Sequence, residues 1–343
     1  MIPFCKPIVP DFRNLETLLK DSIKSGHLSN FGKLYYRATD LLTDKLQLHG
    51  DRKVVITSSG HTALMAAYAV LDVKRLVVPS YTFEATRSAA TLQGIEVQLV
   101  DVDADSGCLS VEVLKNLPIG SYDAVVAVAA LSSIPDLMAL SLFCQVNNKK
   151  LIVDGAPTYG TDGIYNYGDA FCLSFHATKT LSVGEAGAVI MRSSDAEAAK
   201  QYITFGFDDK KKVQREGING KVSEYTCAIL IDLLCKVDPF VDRRLRNLAR
   251  YKKHLGSFIP YSYMERTCYC SLPLVLKHFD ESARCLMELN KAKVQALRYY
   301  KPLDINFKVS TNLYERNVCL PIHHGLSYKD IDFICGIILD NVY

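Results

Sequence analysis

Three segments of the chain carry side chains that could do chemistry, and each follows a short apolar run. Residues 57–62 read Thr-Ser-Ser-Gly-His-Thr, Asp154 follows Leu151–Val153, and Lys179 ends the run Ser-Phe-His-Ala-Thr-Lys that begins at Ser174. In open α/β sheets, ligands bind at the carboxyl ends of the strands. If the apolar runs are strands, the three segments are candidates for parts of one binding site.

The residues at 57–62 have the composition of a helix start. Small and hydroxylated residues leave backbone N–H groups free at the positive end of the helix dipole, and that end suits a phosphate. The same composition also forms an ordinary Ser/Thr cap with a glycine turn. The segment is neither the dinucleotide pattern G-x-G-x-x-G nor the triphosphate pattern G-x-x-x-x-G-K-[ST], and the missing dinucleotide pattern counts against a nicotinamide-dependent oxidoreductase.

Asp154 and Lys179 each allow two interpretations. A carboxylate at the end of an apolar strand is costly unless something pairs with it. The partner of Asp154 could be a cationic ring nitrogen of a cofactor, or it could be a nearby Lys or Arg. Lys179 could be an amine nucleophile that forms a Schiff base, or it could be a solvated surface charge like most lysines.

The three segments together favour one cofactor. A phosphate-binding helix start, a buried acid and a lysine are the parts that a pyridoxal phosphate site needs: an anchor for the phosphate, a partner for the pyridinium nitrogen and an amine for the aldehyde. Phe83 follows another apolar run and could stack on the pyridine ring, although aromatic residues in such a place are otherwise part of a core.

Apolar β-branched runs alternate with helical patterns over the first two-thirds of the chain, which predicts βαβ units and a mostly parallel sheet covered on both faces. The predicted strands are residues 54–57, 76–79, 97–101, 124–130 and 151–154, and the predicted helices are 61–71, 83–93 and 137–146. Two further strands, 170–175 and 187–191, are separated only by a loop and predict an antiparallel feature at the edge of the sheet.

The character of the sequence changes after Glu224. Helices are predicted at 225–237, 283–296 and 328–339, with a short strand at 271–276 and a basic helix at 241–254 that we interpret as a solvated face. The pattern predicts a large α/β domain over residues 1–235 and a smaller C-terminal α+β domain over 236–343.

Composition excludes several classes of protein. Forty Lys+Arg against 37 Asp+Glu give a net charge of +3 without a concentrated basic face, so we expect no nucleic acid partner. The eleven cysteines include no C-x-x-C pair and are odd in number, which is typical of reduced thiols and predicts no metal site. No signal peptide is visible and the most apolar stretch, residues 124–134, is too short to span a bilayer, so a cytoplasmic location without membrane contact is expected.

Longer motifs resemble the DegT/DnrJ/EryC1/StrS family of pyridoxal-phosphate-dependent sugar aminotransferases. This family has the aspartate-aminotransferase fold (fold type I), with a mostly parallel sheet flanked by helices. The matching motifs run almost from end to end of the chain, and the run that ends at Lys179 is highly specific. They are SGHLSNFG at 25–32, SSGHTAL at 58–64, PSYTFEAT at 79–86, SFHATK at 174–179, GINGKVSE at 217–224, YYKPL at 299–303 and LPIH at 320–323.

Carried over by motif position, the resemblance implies one catalytic residue and six cofactor-binding residues. Lys179 is implied to form the internal aldimine with pyridoxal 5′-phosphate. The others are Asp154 at the pyridinium nitrogen, Phe83 on the ring, the backbone N–H groups of Gly60 and His61 and the hydroxyl of Ser174 at the phosphate, and Asn219 at the phosphate of the neighbouring subunit's cofactor. The resemblance thereby also implies a homodimer with shared active sites.

The chain departs from the family pattern in two places. Asp154-Gly155-Ala156-Pro157 stands where members often have Asp-Ala-Ala-Gln, so we expect the side-chain hydrogen bond to the cofactor's ring hydroxyl to be missing. Gly220 and Lys221 stand where Tyr and Arg are more usual, which changes the far side of the phosphate pocket.

The resemblance implies transfer of an amino group from L-glutamate, through pyridoxamine phosphate, to a keto-sugar attached to a nucleotide. The expected acceptor is a dTDP- or GDP-4-keto-6-deoxyhexose for surface polysaccharide or O-antigen synthesis. A 3-keto-sugar aminotransferase and a catalytically idle regulatory homologue are the alternatives. Dehydratases of the same fold have a histidine in place of the Schiff-base lysine, and Lys179 argues against that activity.

Overall fold

A seven-stranded sheet forms the centre of the computed structural model, which describes residues 1–342. Its strands are β1 (Arg52–Thr57), β2 (Arg75–Pro79), β3 (Glu96–Val100), β4 (Ala124–Val128), β5 (Lys150–Asp154), β6 (Ala170–Ser174) and β7 (Gly187–Arg192). They lie in the order β1-β7-β6-β5-β4-β2-β3. Every pair from β3 across to β6 is parallel, and only β7 runs antiparallel to its neighbours β6 and β1.

The predicted antiparallel pair is therefore present, but its position at the edge of the sheet was predicted wrongly. Strand β7 pairs with β6 on one side and with β1 on the other, so β1 is the edge strand. Because β7 reverses direction between them, β1 and β6 run parallel to each other. Their carboxyl ends, Thr57 and Ser174, consequently lie in one row with Gly187 between them.

Helices cover both faces of this sheet, as near-continuous apolar strands such as β4 require. Leu34 and Ile231 pack with Val54 and Ile56 on one face, and Ala63 packs with Val55 on the other. The helices of the described residues up to 234 are α1 (Phe12–Ser25), α2 (Lys33–Lys45), α3 (Gly60–Val70), α4 (Glu84–Thr91), α5 (Val111–Lys115), α6 (Leu137–Val146), α7 (Ser193–Tyr202) and α8 (Glu224–Leu234).

The C-terminal third packs around a separate apolar cluster that includes Leu248, Leu289, Leu320 and Ile334. Its elements are α9 (Asp238–Leu255), β8 (Leu272–Val275), α10 (Phe279–Lys291), α11 (Lys308–Arg316), β9 (Asn317–Leu320) and α12 (Tyr328–Leu339), with β8 and β9 antiparallel. Ile2 also packs against this cluster. The boundary at residue 235 stays a prediction. None of the helices within residues 1–342 is both long and apolar enough to cross a bilayer.

The interpretation of the basic helix as a solvated face is corrected by Arg244 in α9. This side chain is buried, and its Nη1 donates to the carbonyl oxygens of Tyr269 and Cys270, each at 3.3 Å. Arg250 on the same helix pairs with Asp332 of α12 at 2.6 Å. The basic residues of α9 therefore hold the C-terminal region together as well as facing solvent.

The buried carboxylate of Glu224, at the start of α8, caps helix α2. The cap residue Gly32 offers no side chain, and Glu224 instead accepts hydrogen bonds from the backbone N–H groups of Leu34 and Tyr35 at 3.0 and 3.1 Å. Ser22 of α1 donates to the same carboxylate at 3.2 Å. A Cβ at Gly32 would lie 2.5 Å from the carboxyl carbon, so glycine is required for this approach.

We expect Glu224→Ala to lower the free energy of unfolding by about 2–3 kcal/mol, because hydrogen bonds to a charged group are among the stronger ones and the freed N–H groups stay buried. Glu224→Gln keeps one acceptor oxygen and should lose about half as much. Urea unfolding followed by circular dichroism measures both, with the exposed Glu216→Ala as the matched control. If Glu224→Ala unfolds at the same urea concentration as the control, the cap does not stabilise the fold.

Candidate active site

The carboxyl ends of the central strands open into one cavity of about 580 Å³. Six of the seven residues predicted to form the site line it: Gly60, His61, Phe83, Asp154, Ser174 and Lys179. A second cavity of about 600 Å³, lined by Asp103, Tyr261 and Arg316 among others, shares none of these residues. The sequence motifs thus converge on one place although they are separated by more than a hundred residues.

Helix α3 begins at the cavity and presents unused donors to it. Ser59 caps the helix by accepting from the backbone N–H of Thr62 at 3.0 Å. Within residues 1–342, the backbone N–H groups of Gly60 and His61 have no hydrogen-bond partner. Two free N–H groups at the positive end of a helix form a site for an anion.

Close packing brings Ser174 beside this helix start. A Cβ added at Gly60 would lie 2.8 Å from the Cβ of Ser174, so only glycine permits the contact. Gly187 is equally restricted, because its Cβ would lie 2.5 Å from the backbone nitrogen of Gly60. The Ser174 hydroxyl oxygen accepts from the backbone N–H of His176 at 3.3 Å, and its own proton is left for a ligand at the same place.

Asp154 ends β5 and is only 6% exposed. Its Oδ2 accepts from the hydroxyl of Thr86 at 2.7 Å and its Oδ1 from the backbone N–H of Ala156 at 3.2 Å. Burial raises the pKa of this carboxyl, while the two hydrogen bonds and the charge of Lys179 act in the opposite direction. A carboxylate in such surroundings attracts a cationic partner from the cavity.

Lys179 follows β6 in a tight turn that aims it at the same cavity. Its backbone N–H donates to the carbonyl of His176 at 2.9 Å, and Ala177 donates to Gly184 at 3.0 Å. The imidazole Nδ1 of His176 lies 2.9 Å from the hydroxyl of Thr178. These contacts fix the loop, and the half-buried lysine side chain lines the cavity with Asp154.

Phe83 lies at the N-terminal end of α4 and is 62% exposed, which contrasts with the buried strand β2 before it. Tyr300 is its aromatic neighbour, with the ring centroids 6.3 Å apart. Sequence reasoning did not assign Tyr300 or Thr86 to the site. Both lie inside matched motifs, but tyrosine and threonine in a motif carry no signal of their own chemistry.

Asn219 is the one predicted residue that the structure does not bring to the cavity. It is exposed, and its Oδ1 accepts from the Nζ of Lys221 at 2.7 Å. Its predicted contact is with the cofactor phosphate of a neighbouring subunit. Its place at this cavity stays a prediction.

Residues 155–157 differ from the family pattern, and at Gly155 the difference is explained by packing. A Cβ there would lie 2.2 Å from the ring of Phe171 on β6. Pro157 lines the cavity, and its carbonyl accepts from the Ser132 hydroxyl at 3.1 Å. A proline side chain has no hydrogen-bonding group, so this position offers a ligand only apolar contact.

Asp154→Asn should change how stability depends on pH in the protein without bound ligand. A carboxyl whose pKa is raised in the folded state stabilises the fold below its unfolded pKa of 3.8, and this contribution is lost as the pH rises through the raised value. Between pH 4 and pH 8 the melting temperature of the wild type should therefore fall relative to that of Asp154→Asn.

Asp101→Asn is a control for that experiment, because its stability difference from the wild type should change with pH in the opposite direction. Although burial acts to raise it, the pKa of Asp101 is lowered by hydrogen bonds from Ser310 and Val309. The wild type should therefore gain stability over Asp101→Asn as the pH rises. If the difference in melting temperature between the wild type and Asp154→Asn stays constant with pH, the pKa of Asp154 is not raised by burial.

Comparison with known proteins finds transaminases of nucleotide-linked sugars that are similar to this chain over nearly its whole length. The dTDP-4-amino-4,6-dideoxy-D-glucose transaminase of Shigella dysenteriae is 25% identical over 97% of both chains. The UDP-4-amino-4,6-dideoxy-N-acetyl-β-L-altrosamine transaminase of Campylobacter jejuni (strain 81-176) is 23% identical over 94% of this chain and 92% of that protein. A solved structure, a putative PLP-dependent aminotransferase from Bacillus cereus, superposes with a TM-score of 0.87 at 25% identity, over 98% of this chain and 99% of that one.

A family profile agrees with these relatives and matches residues 14–339, from α1 to the last residue of α12. The match therefore includes the six predicted residues that line the cavity, whereas Phe4 and Cys5, which also line it, precede the match. It confirms the resemblance, the fold class and the enzyme class that the sequence predicts. The chain belongs to the DegT/DnrJ/EryC1/StrS aminotransferase family.

Proposed function

We propose that the protein transfers an amino group from L-glutamate to a nucleotide-linked 4-keto-6-deoxyhexose, with Lys179 as its catalytic residue. The observation that carries this proposal is the meeting of Lys179, Asp154 and the start of α3 in one cavity. The cofactor is pyridoxal 5′-phosphate, and when bound it supplies an electron sink for the carbon that gains or loses the amine.

The residues of the cavity fit this cofactor at each of its polar ends. The phosphate matches the free N–H groups of Gly60 and His61 and the hydroxyl of Ser174, held together by a contact that a Cβ at Gly60 would prevent. The ring nitrogen matches Asp154, a buried carboxylate with two donors already in place. The exposed face of Phe83 offers the ring a stacking surface.

Lys179 has two tasks in this proposal. Its amine would hold the cofactor through the cofactor's aldehyde. The same amine, when free, would act as the general base and acid that moves a proton between the donor's α-carbon and the C4′ position of the cofactor. The turn that joins Lys179 to His176 fixes the backbone from which the lysine side chain lines the cavity.

Asp154 keeps a proton on the ring nitrogen, since its negative charge stabilises the cationic form. The burial of Asp154 between β4 and β6 strengthens this pairing, because charges attract each other more strongly in surroundings of low polarity. Pro157 leaves the ring hydroxyl without a side-chain donor at that position.

We further propose a homodimer in which Asn219 reaches the phosphate of the partner's cofactor. The exposure of Asn219 outside the cavity of its own chain agrees with this role. Lys221, which contacts Asn219, would bring a positive charge to the same phosphate.

The choice of acceptor rests on the relatives. The Shigella and Campylobacter enzymes are both named as transaminases of 4-amino-4,6-dideoxy sugars linked to a nucleotide. This chain covers them almost completely, which supports a nucleotide-linked sugar with a keto group at C4. A 3-keto-sugar acceptor and an idle regulatory homologue are the alternatives that the tests below separate.

We expect the purified protein with pyridoxal phosphate to show the visible absorption band of a lysine-bound cofactor. L-Glutamate should convert this band to the spectrum of pyridoxamine phosphate. Lys179→Ala should lose the band and at least 10³-fold of the half-reaction rate, since the residue both binds and transfers the proton. Lys20→Ala, at an exposed position in α1, is the control and should behave as the wild type.

Two results of that experiment would contradict the proposal. If the wild type shows no visible band, Lys179 does not bind the cofactor, and the alternative of a regulatory homologue is favoured. A band that L-glutamate leaves unchanged would keep the cofactor but exclude glutamate as donor.

The pyridoxamine form of the enzyme should aminate a dTDP-linked 4-keto-6-deoxyhexose. Mass spectrometry of the product and recovery of the visible band report the reaction. The GDP- and UDP-linked 4-keto sugars test the nucleotide, and a UDP-linked 3-keto sugar tests the position of the carbonyl. If only the 3-keto sugar reacts, the predicted acceptor is wrong.

A further inference from the structure

Two buried threonines form a chain of hydroxyl groups behind Asp154. Thr82 and Thr86 are 1% and 0% exposed. The Thr86 hydroxyl lies 2.7 Å from Oδ2 of Asp154, and the Thr82 hydroxyl lies 2.8 Å from that of Thr86. Thr82 also lines the cavity, so the chain leads from the cavity wall to the carboxylate.

The direction of the hydrogen bonds follows from the chemistry of the end group. An ionised carboxylate can only accept, so the single proton of the Thr86 hydroxyl is directed at Asp154. The Thr86 oxygen must then accept from Thr82, whose proton is directed inward as well. Both protons therefore stabilise negative charge at Asp154.

The backbone around Thr86 holds its hydroxyl in this position. Thr86 lies in the first turn of α4, and its backbone N–H donates to the carbonyl of Phe83 at 3.2 Å. Its carbonyl accepts from the hydroxyl of Tyr68 at 3.2 Å. A threonine in a helix often donates to the carbonyl four residues earlier, whereas Thr86 donates to a carboxylate 68 residues away.

We propose that Thr86, supported by Thr82, is a positioning residue that keeps Asp154 ionised and oriented towards the cofactor's ring nitrogen. The inference rests on the proposed function. It assigns to this reaction two residues that do not touch the reacting atoms and act only through Asp154.

The charge of Lys179 and the backbone N–H of Ala156 also favour the ionised form of Asp154, but neither changes when the Thr86 hydroxyl is removed. Lys179 is the charged group that faces it across the cavity. Tyr68, Cys172 and Tyr300 also lie near it, but burial raises the pKa of each well above its usual value, so they stay neutral over the range of the test. Besides the Ala156 N–H, Thr86 is the hydrogen-bond donor to this carboxylate within residues 1–342.

The test compares Thr86→Val, which keeps the shape and removes the hydroxyl, with Thr86→Ser, which keeps the hydroxyl. The affinity of the full-length protein for pyridoxal phosphate is measured by absorbance titration from pH 5 to pH 9. The affinity of the wild type should fall at acid pH as Asp154 gains a proton. Thr86→Val should bind pyridoxal phosphate about tenfold more weakly at pH 8, because it loses a hydrogen bond to a charged group. The fall in affinity at low pH, here called the acid limb, should begin at a higher pH in this variant. Thr86→Ser should match the wild type in both respects.

Thr86→Ala is a second variant without the hydroxyl and, because it adds no bulk, it can be used if Thr86→Val does not fold. Its acid limb should move in the same direction, and urea unfolding confirms that each variant is folded. A merely structural role would lower stability without moving the acid limb.

If Thr86→Val and Thr86→Ala keep the acid limb and affinity of Thr86→Ser while the wild type forms its visible band, the positioning role is overturned and the proposed function stands. If the wild type forms no band, the proposed function itself fails, and this inference fails with it.

Discussion

The site depends on holding one negative charge inside an apolar sheet. Asp154 ends β5 between β4 and β6, whose residues are all buried, and the side chain itself is only 6% exposed at the cavity wall. Such a charge is costly, so the surrounding fold must supply donors from separate places. Ala156 provides one from the same loop, and Thr86 provides the other from α4. In the proposed function, the cationic ring nitrogen of the cofactor would complete this pairing.

Backbone contact between glycines places the other half of the site. Gly187 and Gly60 allow β7, the start of α3 and Ser174 to approach more closely than any side chain would permit. The antiparallel strand β7 is essential to this arrangement because it lets β1 and β6 end in the same row. The end of the cavity proposed to hold the phosphate is thus built mainly from backbone atoms, whereas the end proposed to hold the ring is built from side chains.

Sequence patterns predicted most of the sheet because its strands are apolar runs that alternate with helices. They also located Lys179, Asp154 and Gly60, whose residue types are unusual at the ends of strands. Contacts between distant positions could not be predicted in this way. Neither Glu224 capping α2 nor Thr86 donating to Asp154 has a local signature, because a glutamate and a threonine in helices are ordinary. Strand β7 was placed at the edge because sequence proximity to β6 says nothing about β1 pairing on its far side.

The Glu224 cap has a consequence for the order in which the chain can fold. The N–H groups of Leu34 and Tyr35 donate to a residue about 190 positions later in the chain. The residues of β1 pair with residues of β7 that are about 130–140 positions later. Such distant contacts slow folding because the loop must close before they form. At a synthesis rate of roughly 5–20 residues per second, the first two helices wait on the order of 10–40 s at the ribosome. The cap on α2 therefore cannot form until α8 has been synthesised, and until then the N–H groups of Leu34 and Tyr35 lack their native acceptor.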